Sequence, residues 1–177
     1  MPQAKLQAKD FEALAMPLFA SLYNFAQWLT QNREEAEDLV QETYLKGLRG
    51  IGSFEAGTNF RAWMFRILRN TFLTSRTGLR VTKTVALDQE NEELMLPTDF
   101  ETPESILLDR KSQEVVQQAI EALPLPFREV VLLCDVEEMS YQEAAETMAI
   151  PIGTVMSRLS RARKALRAAL QEKPQKA

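Results

Sequence analysis

The stretch Ser140-Tyr-Gln-Glu-Ala-Ala-Glu-Thr-Met-Ala-Ile-Pro-Ile-Gly-Thr-Val-Met-Ser-Arg-Leu-Ser-Arg-Ala-Arg163 reads as two helices joined by a tight turn. Ser140 and Glu143 have the spacing of a capping box, in which each side chain accepts the backbone N–H of the other residue. Ala145 is small where two helices must approach, and Pro151 and Gly153 mark the turn. Thr154 then opens a second helix, on which Val155, Leu159, Ala162 and Leu166 fall in one narrow arc at about 100° per residue, a core stripe. Thr154, Ser157, Arg158 and Arg161 lie on a different arc near the N-terminal end, the part of a recognition helix that meets base edges in the major groove. Arginine pairs bidentately with guanine, serine and threonine reach bases or phosphates, and a helix N-terminus favours a phosphate. The competing reading is an amphipathic hairpin with a solvated basic face; spacing, turn residues and basic excess together favour DNA. Ala149 stands where the turn demands a positive φ, at a cost of about 1 kcal/mol.

Outward from this motif the chain remains helical. Its 177 residues are 45% hydrophobic and 26% charged, ordinary for a globular protein, and only six glycines and eight prolines interrupt an apolar spacing of three to four. The fold class expected is all-α, as two small helical domains joined by an acidic linker. One helical stretch covers about Phe11 to Thr30, and a second starts at Asn32, where Asn32 caps and Glu35 can reach back, and runs to Gly50. A third runs from Thr58-Asn59 to about Ser75. Periodicity is lost from Gly78 to Phe100, then returns at Thr102-Pro103 in a helix to Leu123, which Pro124 and Pro126 break before a helix from Phe127 to Val136. The expected domains are 1–78, a linker at 79–112, and 113–177.

The lone Cys134 sits in an apolar run, where a buried thiol is expected and no disulfide can form within the chain. The polar N-terminus lacks a signal core, and no apolar run approaches the roughly 18 to 20 residues of a membrane span, so a soluble protein of the cytoplasm is expected.

The net charge of −4 conceals a segregation. Phe60 to Lys83 carries six basic residues and no acidic one, Thr84 to Asp109 eight acidic and no basic, and Thr154 to Ala177 seven basic against Glu172 alone. Two basic blocks around an acidic one suit nucleic-acid binding.

On a wheel, Phe60, Trp63, Met64, Ile67, Leu68 and Thr71 share one side of the third helix, and Arg61, Phe65, Arg66, Arg69, Asn70 and Phe72 the other. Aromatics beside arginine and asparagine on that second side resemble a platform for unstacked bases. The alternative is that Phe65 or Phe72 packs on a neighbouring helix. In the second helix Ala36, Leu39, Val40, Thr43, Tyr44 and Gly47 form an inward stripe, leaving Glu35, Asp38, Gln41, Glu42 and Arg49 outward. Without a histidine anywhere these carboxylates make unconvincing metal ligands, and without a partnered nucleophile or base they make poor catalysts. A protein-docking face is the sharper reading, a solvated face the plainer one.

Glu37-Asp38-Leu39-Val40-Gln41-Glu42-Thr43, Phe60 to Asn70, Leu123-Pro124, Phe127-Arg128-Glu129-Val130, Ser140-Tyr141-Gln142-Glu143 and Pro151 to Arg163, in that order, resemble the extracytoplasmic-function sigma factors of RNA polymerase. These are the minimal sigma proteins, with a region 2 helical bundle and a region 4 helix-turn-helix. The resemblance implies that Asp38, Leu39, Gln41 and Glu42 dock on core RNA polymerase, whose largest and second-largest subunits are the partners. It implies that Arg61, Phe65, Arg66, Arg69 and Asn70 capture single-stranded DNA of the −10 element during melting, while Thr154, Ser157, Arg158 and Arg161 read the −35 duplex. It further implies an acidic linker threading toward the RNA exit path, control by an anti-sigma factor, and no cofactor, metal, small-molecule substrate or catalysis. Met156 departs from the basic residue that the family often has there, and Ala149 from its glycine. The alternative function is a helix-turn-helix regulator binding duplex DNA without polymerase; a helical enzyme or adaptor built on the second-helix carboxylates is remote.

Overall fold

The computed structural model describes residues 5–77 and 113–171. Among them there is no strand; the chain divides into two compact helical units. The linker expected at 79–112, including the helix start at Thr102-Pro103, lies outside the described residues.

The first unit is a four-helix bundle of α1 (Ala8–Ala15), α2 (Phe19–Thr30), α3 (Arg33–Gly50) and α4 (Phe60–Thr77). The single stretch expected from Phe11 to Thr30 is broken by a 3-10 turn at Met16–Leu18, because Pro17 has no N–H for the α-helical ladder. The Phe19 N–H bonds to the Met16 carbonyl, and the Tyr44 hydroxyl donates to the Ala15 carbonyl at 2.6 Å. The break thereby becomes a tie between α1 and α3.

α2 ends in a left-handed Gln31, and the Asn32 side chain caps α3 by accepting the Glu35 N–H at 3.1 Å. The reciprocal half of the expected box goes elsewhere. Thr30 Oγ1 takes the Asn32 N–H at 3.3 Å, and the Glu35 carboxylate accepts from Arg76 at 2.9 Å. Arg76 also donates to the Thr30 carbonyl and lies 5.2 Å over the Phe72 ring, so the end of α4 is clamped to the α2–α3 corner.

The core gathers Phe11 and Ala15 of α1, Leu22, Phe25 and Leu29 of α2, Ala36, Leu39 and Val40 of α3, and Met64, Phe65, Leu68 and Phe72 of α4. Gly47 lets the helices close up: a Cβ there would lie 2.9 Å from both the Met64 sulfur and the Phe11 ring.

The second unit holds α5 (Gln113–Glu121), α6 (Leu125–Val131), the start of α7 (Tyr141–Met148) and α8 (Ile152–Gln171). Pro124 breaks the chain as expected, and Arg128 closes the break by donating to the carbonyls of Glu121 and Leu123 at 2.9 and 3.1 Å. α6 passes into a π-helical turn at Leu132–Val136, in which the Glu137 N–H reaches back to the Leu132 carbonyl. α8 packs against α6 and α5, burying the whole stripe expected of it, Val155, Leu159, Ala162 and Leu166. Arg163 grips Asp135 through two bonds, at 2.6 and 3.1 Å, which fixes α8 to the π-turn and holds the guanidinium pKa above its ordinary value.

Cys134 is half-buried next to that pair. Burial first, then the Asp135 charge, push its thiol up to about 12.

Candidate nucleic-acid interface

Three helical surfaces carry the residues singled out by the sequence. On α3, Asp38, Gln41 and Glu42 are exposed as expected, whereas Leu39 is buried in the bundle. Two residues missed by the sequence reading extend the exposed stripe: Leu45 and Leu48, 52% and 41% exposed. Positions 38, 41, 42, 45, 48 and 49 follow the i, i+3, i+4, i+7 spacing of one helix face. The wheel that put Ala36, Leu39, Val40, Thr43 and Gly47 inward already left both leucines outside it. The stripe combines carboxylates, an amide, two large aliphatic groups and Arg49, the mixture of apolar centre and polar rim seen where proteins associate. Lys46 borders it, paired to Glu42 at 3.2 Å and donating to Thr71 Oγ1 of α4 at 3.2 Å.

On α4 the expected faces are corrected. Phe65 is fully buried, its ring 5.3 Å from that of Phe25, and Phe72 is buried too. The buried arc is Ala62, Met64, Phe65, Leu68, Thr71 and Phe72, while Phe60, Trp63 and Ile67 are only half-buried. The reason is that α4 packs on both α2 and α3, and its aromatics occur on two separate sides of the wheel. In the observed orientation the Phe65 ring meets Phe25 of α2.

Arg61 is half-buried with its guanidinium 5.6 Å over the Phe65 ring, and Arg69 is half-buried as well. Arg66 and Asn70 are exposed, and the aromatic that shares their outward side is Trp63, propped from behind by Phe54 at 5.1 Å and Phe60 at 5.6 Å. An indole backed by two rings, with arginine at i+3 and asparagine at i+7, can offer a base a stacking face and a hydrogen bond together. The signal missed was that Trp63, Arg66 and Asn70 share a 3.6-residue period.

In the helix-turn-helix the capping box forms in full: the Ser140 N–H meets Glu143 Oε2 at 2.7 Å and the Glu143 N–H meets Ser140 Oγ at 3.1 Å. Ala149 has φ +54°, the left-handed conformation its place in the turn requires. α8 starts at Ile152, two residues before Thr154, because the Pro151 carbonyl accepts the N–H groups of Thr154 and Val155 at 3.0 and 3.2 Å. Gly153 therefore lies in the first helical turn and not in the loop.

Thr154, Ser157 and Arg161 are half-buried, and Ser157 Oγ already donates to the Thr154 carbonyl at 3.1 Å. Arg158 is only 8% exposed. Ile152, Gly153, Met156 and Lys164 are the exposed residues from Ile152 to Lys164. Among the described residues no group of acidic, cysteine or histidine side chains could hold a metal ion, and no helix is long and apolar enough to cross a membrane.

Comparison with known proteins follows this division. Residues 17–80 match the family model of sigma-70 region 2, and residues 113–166 that of sigma-70 region 4. The chain is 36% identical over 146 residues to the ECF RNA polymerase sigma factor SigE of Mycolicibacterium smegmatis, a match covering 82% of this chain and 56% of that protein. It is 34% identical to the ECF RNA polymerase sigma-E factor of Haemophilus influenzae, over 79% of this chain and 77% of that one. A solved structure of the sigma factor RpoE in complex with the anti-sigma factor NepR, from Bartonella quintana, superposes with a TM-score of 0.69 at 30% identity, covering 93% of this chain and 99% of that chain.

Proposed function

The chain belongs to the extracytoplasmic-function sigma factors of RNA polymerase, and from that premise we propose how its surfaces divide the work of starting transcription. The outward stripe of α3 docks on core polymerase, with Asp38, Gln41 and Glu42 supplying polar contacts and Leu45 and Leu48 the apolar centre. The outward face of α4 takes single-stranded −10 DNA: Trp63 stacks on an extruded base, Arg66 and Asn70 hold its edge or phosphate, and Arg61 and Arg69 add positive charge at the margin. α8 enters the major groove of the −35 duplex. The segment 79–112, with its acidic block from Thr84 to Asp109, joins the two units along the RNA exit path.

The observation that carries this reading is the outward side of α4, where a supported, half-exposed indole lies among arginine and asparagine on a helix without a single carboxylate. A solvated helix face has no use for a propped tryptophan. The chemistry required is binding alone. Unstacking a base costs a few kcal/mol, and stacking it on an aromatic side chain returns about 1–3 kcal/mol. Capture of one or two bases therefore balances the opening of the duplex.

An anti-sigma factor that covers the α3 stripe would withhold the protein from polymerase in the cytoplasm. Its apolar target is Leu45 and Leu48.

The test is in vitro transcription with bacterial core RNA polymerase on fragmented DNA of the source organism. Discrete transcripts that depend on the chain are expected. A joint change of Asp38→Ala and Gln41→Ala should lower core binding, and Trp63→Ala should spare core binding while reducing open complexes about tenfold, in line with the stacking energy of one base. Absence of both transcripts and a core complex would overturn the reading and leave a duplex-binding regulator.

A further inference from the structure

The leading end of α8 is not the basic surface that its sequence suggests. Arg158 is buried, Thr154 and Ser157 are half-buried, and the Ser157 hydroxyl is engaged by the Thr154 carbonyl at 3.1 Å. What protrudes instead is apolar: Ile152 is 43% exposed and Met156 40% exposed, one helical turn apart and about 40° apart on the wheel. Around the outward arc next to Met156 stand Gly153 and Ser160, the first bare of any side chain and with nothing within 4 Å of where a Cβ would be. A long, flexible thioether is thus flanked by two of the smallest residues on the helix. It can project into a groove whose floor the backbone approaches closely.

The charge around this apolar nose identifies its target. α8 carries five basic residues, Arg158, Arg161, Arg163, Lys164 and Arg167, and no acidic one; Arg158 is buried and Arg163 is paired with Asp135, so the charge that counts is that of Arg161, Lys164 and Arg167. Such a helix is drawn to polyanions, and an apolar tip on a cationic shaft fits the major groove, where phosphates line the walls. On the floor of that groove the thymine C5-methyl is the apolar group offered by a base edge.

We infer that Met156, flanked by Ile152, reads thymine methyl groups in the −35 element, so that promoters of this sigma factor carry a thymine whose methyl is recognised at the position facing Met156. The inference rests on the reading of α8 as the duplex-binding helix. Methionine suits the task because its polarizable sulfur and unbranched chain adapt to a methyl whose place varies with local helix twist. Arg161 and Lys164, one and two turns further along, supply guanine and phosphate contacts and leave Met156 to set the apolar preference.

The experiment uses the holoenzyme, this chain with bacterial core polymerase, on a promoter it transcribes. Each thymine of the upstream element, on either strand, is replaced singly by deoxyuridine, which pairs identically but lacks the methyl. One replacement should weaken promoter binding by about fourfold, the worth of burying one methyl-sized group, and the same replacement should have no effect with the Met156→Ala protein. A Met156→Arg protein should shift the preference at that pair toward guanine. Retained thermal unfolding and core binding of both variants separate loss of readout from loss of fold.

If no deoxyuridine changes binding, or the upstream element has no thymine, the methyl readout is wrong while the sigma assignment stands. The readout is equally overturned if the loss persists undiminished in Met156→Ala. If the chain neither binds core nor directs transcription, the assignment itself fails and the inference falls with it.

Discussion

α4 and α8 are much alike in sequence. Each is long, at 18 and 20 residues, each is basic, and each lacks an acidic residue. Yet the wheel places the core of one correctly and of the other wrongly. In α8 the aliphatic groups Val155, Leu159, Ala162 and Leu166 fall in one arc, and only that arc can be buried. In α4 rings stand at 60 and 63 on one side and at 65 and 72 on another, so the pattern alone offers two orientations and the choice passes to the neighbours. Periodicity determines orientation only where polar residues occupy one unbroken arc. A helix with aromatics on two separate sides is oriented by its partners.

This contrast between the helices is most open to challenge at Phe65. Phe65→Ala should lower the stability of the first unit by about 3–5 kcal/mol, read as a fall in its thermal unfolding midpoint, whereas Trp63→Ala should leave that midpoint within a few degrees. Equal losses for the two would mean that α4 is rotated otherwise in solution. For α8 the corresponding test is the grip of Arg163 on Asp135, which is largely out of solvent. Asp135→Ala leaves a half-buried guanidinium without its carboxylate and should cost about 2 kcal/mol, measured by urea denaturation of the chain.

The capping box gives a more modest change. Ser140→Ala should cost about 1 kcal/mol, because the Glu143 N–H loses its side-chain acceptor. At the turn between α7 and α8 the sign reverses: Ala149→Gly relieves the positive φ of +54° and should stabilise by up to about 1 kcal/mol. A loss of stability there would show that the alanine methyl is held by contacts worth more than the strain.

Much of the architecture could be read from residues alone because local chemistry enforced it. Asn32 starts α3, Pro124 ends the preceding helix, Ser140 with Glu143 caps α7, and Ala149 turns left-handed, all from short-range rules that tertiary packing did not overrule. What was missed depends on distant partners. The 3-10 break at Pro17 is completed by Tyr44, whose hydroxyl bonds to Ala15, twenty-nine positions away along the chain. The half-formed box at Asn32 reflects competition, since Arg76 lies forty-one positions beyond Glu35 and takes its carboxylate. The exposure of Asp38, Gln41, Glu42, Arg66 and Asn70 was legible because exposed polar residues follow from where the apolar ones point. The burial of Leu39, Phe65 and Arg158 was not, and the exposure of Leu45 and Leu48 went unread because apolar side chains ordinarily face inward.

The thiol of Cys134, with its pKa pushed up to about 12 by burial and the Asp135 charge, exists almost wholly as the unreactive SH form at neutral pH. Alkylation of Cys134 by maleimides is therefore expected to be slow. For the bench the same inertness makes the natural protein a near-blank background. A cysteine introduced at position 45, 66 or 156 would take a fluorophore selectively, so that docking, strand capture and duplex reading could each be followed in real time by its own dye.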